Sequence, residues 1–218
     1  MRVCFLGGTH AAFTMAEAAR RRGHVVVENP DGCRVVFISM DTPTLADGTR
    51  ALEPIRNLVR NVLATPRYQV VLTSQVPPGF TRSFDDTRLY HQAETLRMED
   101  APQRAMFPEM FIVGRPVPLP LSGPYLDYLE SFDVPILCGS YEDAEFAKIA
   151  INMTLASQVD NANRLSTAAR HFGADWKNVM RVLQHDSRIG RYAYLTPGDW
   201  MKSKHLLRDY RTLEDEGL

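Results

Sequence analysis

Apolar residues at the start of the chain come in short solid runs divided by small and polar residues. Arg2 to Leu6 holds the unbroken run Val3-Cys4-Phe5-Leu6 and reads as a buried strand. Small residues follow in a tight turn, and Ala11 to Arg22 then takes helical spacing with Phe13, Ala16 and Ala19 on one side. Gly23 ends that helix, and His24 to Glu28 is a second strand. The next connection departs from this rhythm. Asn29-Pro30-Asp31-Gly32 is a plain turn signal, and Arg34 to Ser39 is already a strand again. Parallel neighbours normally need a crossover of a dozen residues or more. This spacing therefore predicts a missing crossover helix and a third strand that runs antiparallel or pairs elsewhere.

The alternation then resumes. Leu52 to Ala64 predicts a helix with Pro54 in its first turn, and Gln69 to Ser74 a buried strand that Pro77-Pro78-Gly79 ends. Short strands at Leu89–His91, Phe111–Gly114 and Val134–Cys138 alternate with helices near Met98–Met106 and Gly123–Phe132. The expected class is α/β: a Rossmann-like, mainly parallel sheet with helices on both faces, over residues 1–139. Residues 140–218 differ in character. Ser140-Tyr141-Glu142-Asp143 resembles a capping box, and no Gly or Pro interrupts until Gly173. A helix of about thirty residues would run about 45 Å, which predicts that it leaves the sheet domain and founds a small helical one. Asp175 is placed to cap a further helix through Gln184.

Composition narrows the classes. Apolar residues make up 44% of the 218 and the formal net charge is -1, so no broad field favours nucleic acid or a membrane surface. Arg20-Arg21-Arg22 reads as a solvated helix end that complements the helix dipole. The cysteines, Cys4, Cys33 and Cys138, form no CxxC pair; Cys4 and Cys138 fall in strands, where a free thiol behaves as a small core residue. With no leader-like start and no long apolar stretch, the expectation is a reducing cytoplasm, with no metal. Trp176 and Trp200 read as packing anchors.

Candidate chemistry begins at the first turn. In Gly-x-Gly-x-x-Gly the first glycine turns the chain, the second admits pyrophosphate and the third lets helix approach strand. Here Gly7 fills the first place, Thr9 the second and Ala12 the third. Alanine is tolerated, whereas the threonine Cβ crowds the phosphates. Gly7, Gly8, Thr9, His10 and Ala11 are the candidate cofactor residues, with Glu28, nearest in type, as the acid for the ribose and Asp31 beyond the turn.

From Ser39 onward the chain resembles the UDP-glucose/GDP-mannose dehydrogenase family. Met40-Asp41-Thr42-Pro43-Thr44 with Asp47-Gly48 is similar to that family's VPTP…DG loop, and Ser74-Gln75-Val76-Pro77-Pro78-Gly79-Phe80-Thr81 to its STVPPGTT segment. Ala93-Glu94-Thr95-Leu96-Arg97 with Phe111-Ile112-Val113-Gly114 is similar to PEFLREG…RIVIG, and Glu145-Phe146-Ala147-Lys148-Ile149-Ala150-Ile151-Asn152 to AELIKYAAN. Gly173-Ala174-Asp175 and Asp186-Ser187-Arg188-Ile189-Gly190 keep the same order and spacing. The resemblance implies NAD as cofactor, a nucleotide or nucleotide-sugar ligand, and a homodimer through the long helix at 140–172. It adds Thr42, Pro43, Ser74 and Gln75 to the cofactor residues. It implies that Lys148 and Asn152, one helical turn apart, stabilise a developing oxyanion, and that Glu94 does acid/base work. The motif's second glutamate is Met98 here.

The family's cysteine motif, roughly GGSCFPKD, aligns with 201–209. Asp209 matches its water-activating aspartate and Arg208 the lysine before it, but His205 stands where the nucleophilic cysteine belongs, and no cysteine follows Cys138. The family's C-terminal nucleotide-sugar domain has no counterpart in 1–218. A thiohemiacetal route to the acid is therefore excluded if the family mechanism is required. What is expected is an NAD(P)-dependent oxidoreductase restricted to one alcohol oxidation on a sugar nucleotide or related polyol, with His205 or Glu94 handling protons. The alternative is a non-catalytic binding or assembly protein. Each residue also has a plainer role open to it: Lys148 and Asn152 on a solvated face, Glu94 in an ion pair with Arg97, His205 as an exposed helix histidine.

Overall fold

The computed structural model describes residues 1–45, 50–97, 99–214 and 217. Asp47, Gly48 and Met98, named above, lie outside the described residues. By internal contacts the described chain forms two units, Met1–Lys148 and Ile149–Leu218.

The first unit grows from β1 (Arg2–Leu6), whose central residues are fully buried. Helix α1 (His10–Arg21) follows the glycine turn and lays Ala12, Met15, Ala16, Ala18 and Ala19 into the core. Phe13, expected on that inner face, instead points outward and is 67% exposed. The alanines allow close approach to the sheet, and a phenyl ring does not fit beneath them. Arg20 and Arg21 pair with Glu17 as solvated charges. Arg22, the third of the basic run, turns inward to bond the Met106 carbonyl and lie against the Phe107 and Phe132 rings.

Strand β2 (Val25–Val27) is short, and β3 (Val35–Ile38) is parallel to β1 rather than antiparallel. Of the two expected outcomes the antiparallel one is overturned and pairing elsewhere is observed, since β3 lies beside β1 and not β2. The reason is one of length. Residues 28–34 reach at most about 24 Å at 3.3–3.6 Å each. Because β2 has three residues, they need only span two strand spacings, about 10 Å, and descend about 10 Å. A short crossover with a hydrogen-bonded turn at Pro30–Cys33 replaces the helical one.

Helix α2 (Glu53–Leu63), β4 (Gln69–Leu72), β5 (Leu89–Gln92), α3 (Ala101–Met106), β6 (Phe111–Gly114), α4 (Pro124–Glu130) and β7 (Ile136–Gly139) complete the sheet, in the order β2-β1-β3-β4-β5-β6-β7. Every pairing is parallel except β5 with β6. One face packs Phe37, Tyr90 and Val113 against α1, α3 and α4; the other packs Val36, Ile38 and Leu72 against Ile55, Val59 and Val62 of α2. The α/β class with helices on both faces is observed. Cys138, expected in the core, is exposed because β7 is an edge strand; Cys4 and Cys33 are buried.

The long helix α5 (Tyr141–His171) opens with Asp143 and Ser140 bonded reciprocally as a capping box. Its first turns count with the first unit. In the second unit, Asp175 caps α6 (Trp176–His185) through the Lys177 amide, and α7 (Lys204–Glu214) follows. Trp176 bonds the Leu195 carbonyl and Trp200 bonds Asp160, so both indoles are anchored through their N–H.

Candidate active site

In open α/β sheets, ligands bind beyond the carboxyl ends of the strands. In the first unit that edge begins at Gly7. Its φ of +113° and its position rule out any side chain, because an added Cβ would lie 2.0 Å from the Ser39 carbonyl oxygen. Gly8, also at positive φ, faces open space. Thr9 is the N-cap of α1: its Oγ1 accepts the Ala12 amide at 3.1 Å and bonds Ser39 Oγ at 2.7 Å. The hydroxyl is thereby drawn onto the protein. The amides of His10 and Ala11, in the first turn, have no carbonyl a turn earlier to meet them. These features fit a pyrophosphate: open space at Gly8, two first-turn amides, and a threonine engaged elsewhere. Glu28 is exposed one residue past β2.

The loops after β3 and β4 are fastened to each other. Ser74 Oγ accepts the Met40 amide at 2.7 Å, and Thr42 Oγ1 donates to the Gln75 carbonyl at 3.0 Å. Thr42 and Ser74 are buried in these bonds, while Pro43 is exposed and Gln75 half-buried. Sequence reasoning named these residues as cofactor ligands; the structure shows them first as clips between neighbouring loops.

Glu94 lies just past β5, half-buried, and lines a cavity of about 40 Å³ with Gln92, Arg104 and Phe111. That is room for about one water. Glu94 does not take up the ion pair with Arg97, which binds Asp100 instead; its carboxylate accepts the Leu96 amide. Burial pushes its carboxyl upward from the ordinary carboxylate value, opposed by the Lys148 ammonium, by the Leu96 amide and by His10. The sheet edge thus brings Glu94, Lys148 and His10 into one electrostatic neighbourhood, three residues widely separated in sequence. Lys148 is half-buried rather than on a solvated face.

In the second unit Asn152, 7% exposed, donates through Nδ2 to Asp209 Oδ2 at 2.6 Å, and Asp209 is fully buried. Arg208 Nε stands 3.6 Å from the other carboxylate oxygen. His205 is exposed on α7, one turn before Asp209. A hydrogen-bonded amide–carboxylate pair can orient a ligand or a water, and no thiol lies in this unit. Among the described residues no cluster of His, Cys, Asp or Glu could hold a metal ion.

Residues 142–215, which carry Lys148, Asn152 and Asp209, match the model of the UDP-glucose/GDP-mannose dehydrogenase family, central domain. Over these residues the chain is similar to that family. It is 26% identical over 168 residues to the UDP-glucose 6-dehydrogenase of Campylobacter jejuni, covering 72% of this chain and 42% of that enzyme. Against the GDP-mannose 6-dehydrogenase of Pseudomonas aeruginosa it is 28% identical over 204 residues, covering 82% and 45%. The chain therefore spans less than half the length of these relatives. A solved UDP-glucose dehydrogenase from Pyrobaculum islandicum shares the fold, with a TM-score of 0.73 and 19% identity over 98% of this chain and 67% of that one.

Sequence reasoning missed Ser39, which holds Thr9, and Glu145, which is 1% exposed on α5. Glu145 opens the motif at 145–152, but an acid three residues before a lysine gives no sign of what it bonds.

Proposed function

We propose that the chain is an NAD(P)-dependent dehydrogenase that removes one hydride from an alcohol carbon of a sugar nucleotide or related polyol and stops there. The observation that carries this reading is Glu94 set in a small cavity under the influence of Lys148. An acid/base carboxyl and an ammonium at a sheet's carboxyl edge are the groups an alcohol oxidation needs. When bound, NAD would supply the hydride acceptor. The Gly7–Ala11 turn would hold its pyrophosphate and Glu28 its ribose. Lys148 would stabilise negative charge on the alcohol oxygen, and Glu94, whose carboxyl burial pushes upward, would exchange its proton. In the second unit Asn152 would serve as an amide donor, with Asp209 fixing its orientation. His205 in the cysteine's place limits the chemistry to this one step. Asp209 and exposed His205 would be the proton-handling groups of the second unit.

The long helix is proposed as the seat of a homodimer, on the strength of exposed Leu165 and Phe172; light scattering tests it. Among the described residues no helix is long and apolar enough to cross a membrane, and with three free cysteines a cytoplasmic location is proposed. The function is tested by incubating the chain with NAD and a panel of sugar nucleotides while following reduced cofactor, with calorimetry for cofactor binding. Reduction with a keto or aldehyde product supports it. Absence of both binding and reduction would favour a binding or assembly role.

A further inference from the structure

Glu145 is a buried carboxylate with no part in the chemistry above. Its Oε2 accepts the Gly79 amide at 2.6 Å and its Oε1 the Thr81 amide at 2.8 Å. These amides belong to the loop that leaves β4, just beyond Ser74 and Gln75. The prolines before them, Pro77 and Pro78, have no N–H to offer, and Gly79 turns the chain at a φ of +88°. Phe80, between the two bonded amides, is buried in the core on the α2 face. The same turns of α5 hold the segment further: Tyr141 Oη donates to the Leu89 carbonyl at 2.7 Å, and Glu142 takes Arg82 through both oxygens at 2.5 and 2.7 Å. The Arg82 pair is exposed and contributes little. The Glu145 bonds are charge-assisted and buried, so they are the strong ones.

Glu145 stands three residues before Lys148, about one turn away on the same side of α5. Through the Gly79 and Thr81 amides it is tied to the loop carrying Gln75, whose carbonyl is in turn tied to Thr42 and Arg50. We propose that Glu145 is a positioning residue: its carboxylate registers the loop 75–81 against the turn of α5 that carries Lys148, and so sets where the ammonium stands relative to Glu94. The inference rests on the dehydrogenase reading for its catalytic consequence, but not for its structural one.

The test is the titration of the Glu94 carboxyl, followed by carbon-13 NMR in the full chain without cofactor. In Glu145→Gln the side chain keeps its size, but its amide cannot accept from both N–H groups. Loss of the Glu145 charge alone would move Glu94 downward, because a neighbouring anion is gone. Displacement of Lys148 would move it upward, toward its value in Lys148→Met. The proposal expects the upward shift, with faster exchange of the Gly79 and Thr81 amides. If Glu145→Gln does not fold, Glu145→Asp, one methylene too short to span both amides, is read the same way. A folded variant whose Gly79 and Thr81 amides exchange freely while Glu94 titrates unchanged or lower overturns it. Where the wild type reduces NAD, the same variant should lose about 10- to 100-fold in kcat, with the KM for NAD changed less than about twofold. A wild type that reduces no NAD sinks the dehydrogenase reading while leaving the titration result to stand.

Discussion

Asn152 and Asp209 are bonded to each other at 2.6 Å, away from solvent, although 57 positions separate them in sequence. The bond makes α7 part of whatever Asn152 does. Removing the amide leaves a buried carboxylate short of a donor, which costs about 1–3 kcal/mol. Asn152→Ala should therefore lower the midpoint of thermal unfolding by several degrees, about 2–4 °C per kcal/mol for a chain of this size. Asn152→Asp should be worse, since two carboxylates would face each other. Differential scanning calorimetry checks both, and a neutral Asn152→Ala would mean that the bond does not hold the unit together.

Gly7 and Gly8 share positive φ but not surroundings. Gly7→Ala would drive a methyl group onto the Ser39 carbonyl, so a loss of at least about 3 kcal/mol is expected from backbone strain and overpacking together. Gly8→Ala meets no atom within 4 Å and should lose about 1–2 kcal/mol from the left-handed conformation alone. Urea unfolding of the two variants separates the cases.

His91 is fully buried on β5, and burial drives its imidazole from 6.5 down to about 3. The unfolded chain therefore binds the extra proton first as pH falls. Its contribution is fully present above about pH 6.5 and is lost as pH falls toward about 3. Glu94 and Glu145 are pushed upward by burial and act in the opposite sense, favouring the native state as pH falls. His91→Leu should flatten the acid limb of the stability curve between pH 6 and pH 4, a window set by the two His91 values. An unchanged limb in a folded variant would contradict this assignment.

Glu28 is an exposed acid at the end of β2, suited to the hydroxyls of a ribose and hostile to a 2′-phosphate. NAD should bind tighter than NADP, and Glu28→Ala should narrow the difference about tenfold or more. Calorimetry with both cofactors decides it; equal affinities in the wild type would remove Glu28 from the site.

Much of the fold was legible because apolar runs and helical spacing report local burial. The long helix was evident from an uninterrupted stretch closed by Gly173. For β3 the missing crossover helix was legible, but antiparallel pairing and pairing elsewhere both stayed open, because the sequence shows how many residues join two strands, not how short the first strand is. The outward turn of Phe13 and the exposure of Cys138 depend on which neighbours exist, and one strand's own pattern does not report its place at a sheet edge. At the site, the motifs located Lys148 and Glu94 but not their electrostatic coupling, nor the bond from Asn152 to Asp209. Glu145 was hidden most completely, because its partners are backbone amides with no signature in the sequence.

One oxidation per substrate is tested most directly by the ratio of NAD reduced to sugar nucleotide consumed at completion. One reduced cofactor per substrate and a carbonyl product are expected, with activity abolished in Lys148→Met. Two reduced cofactors per substrate with a carboxylate product would contradict it, since His205 stands in the place proposed for the thiol of a second step.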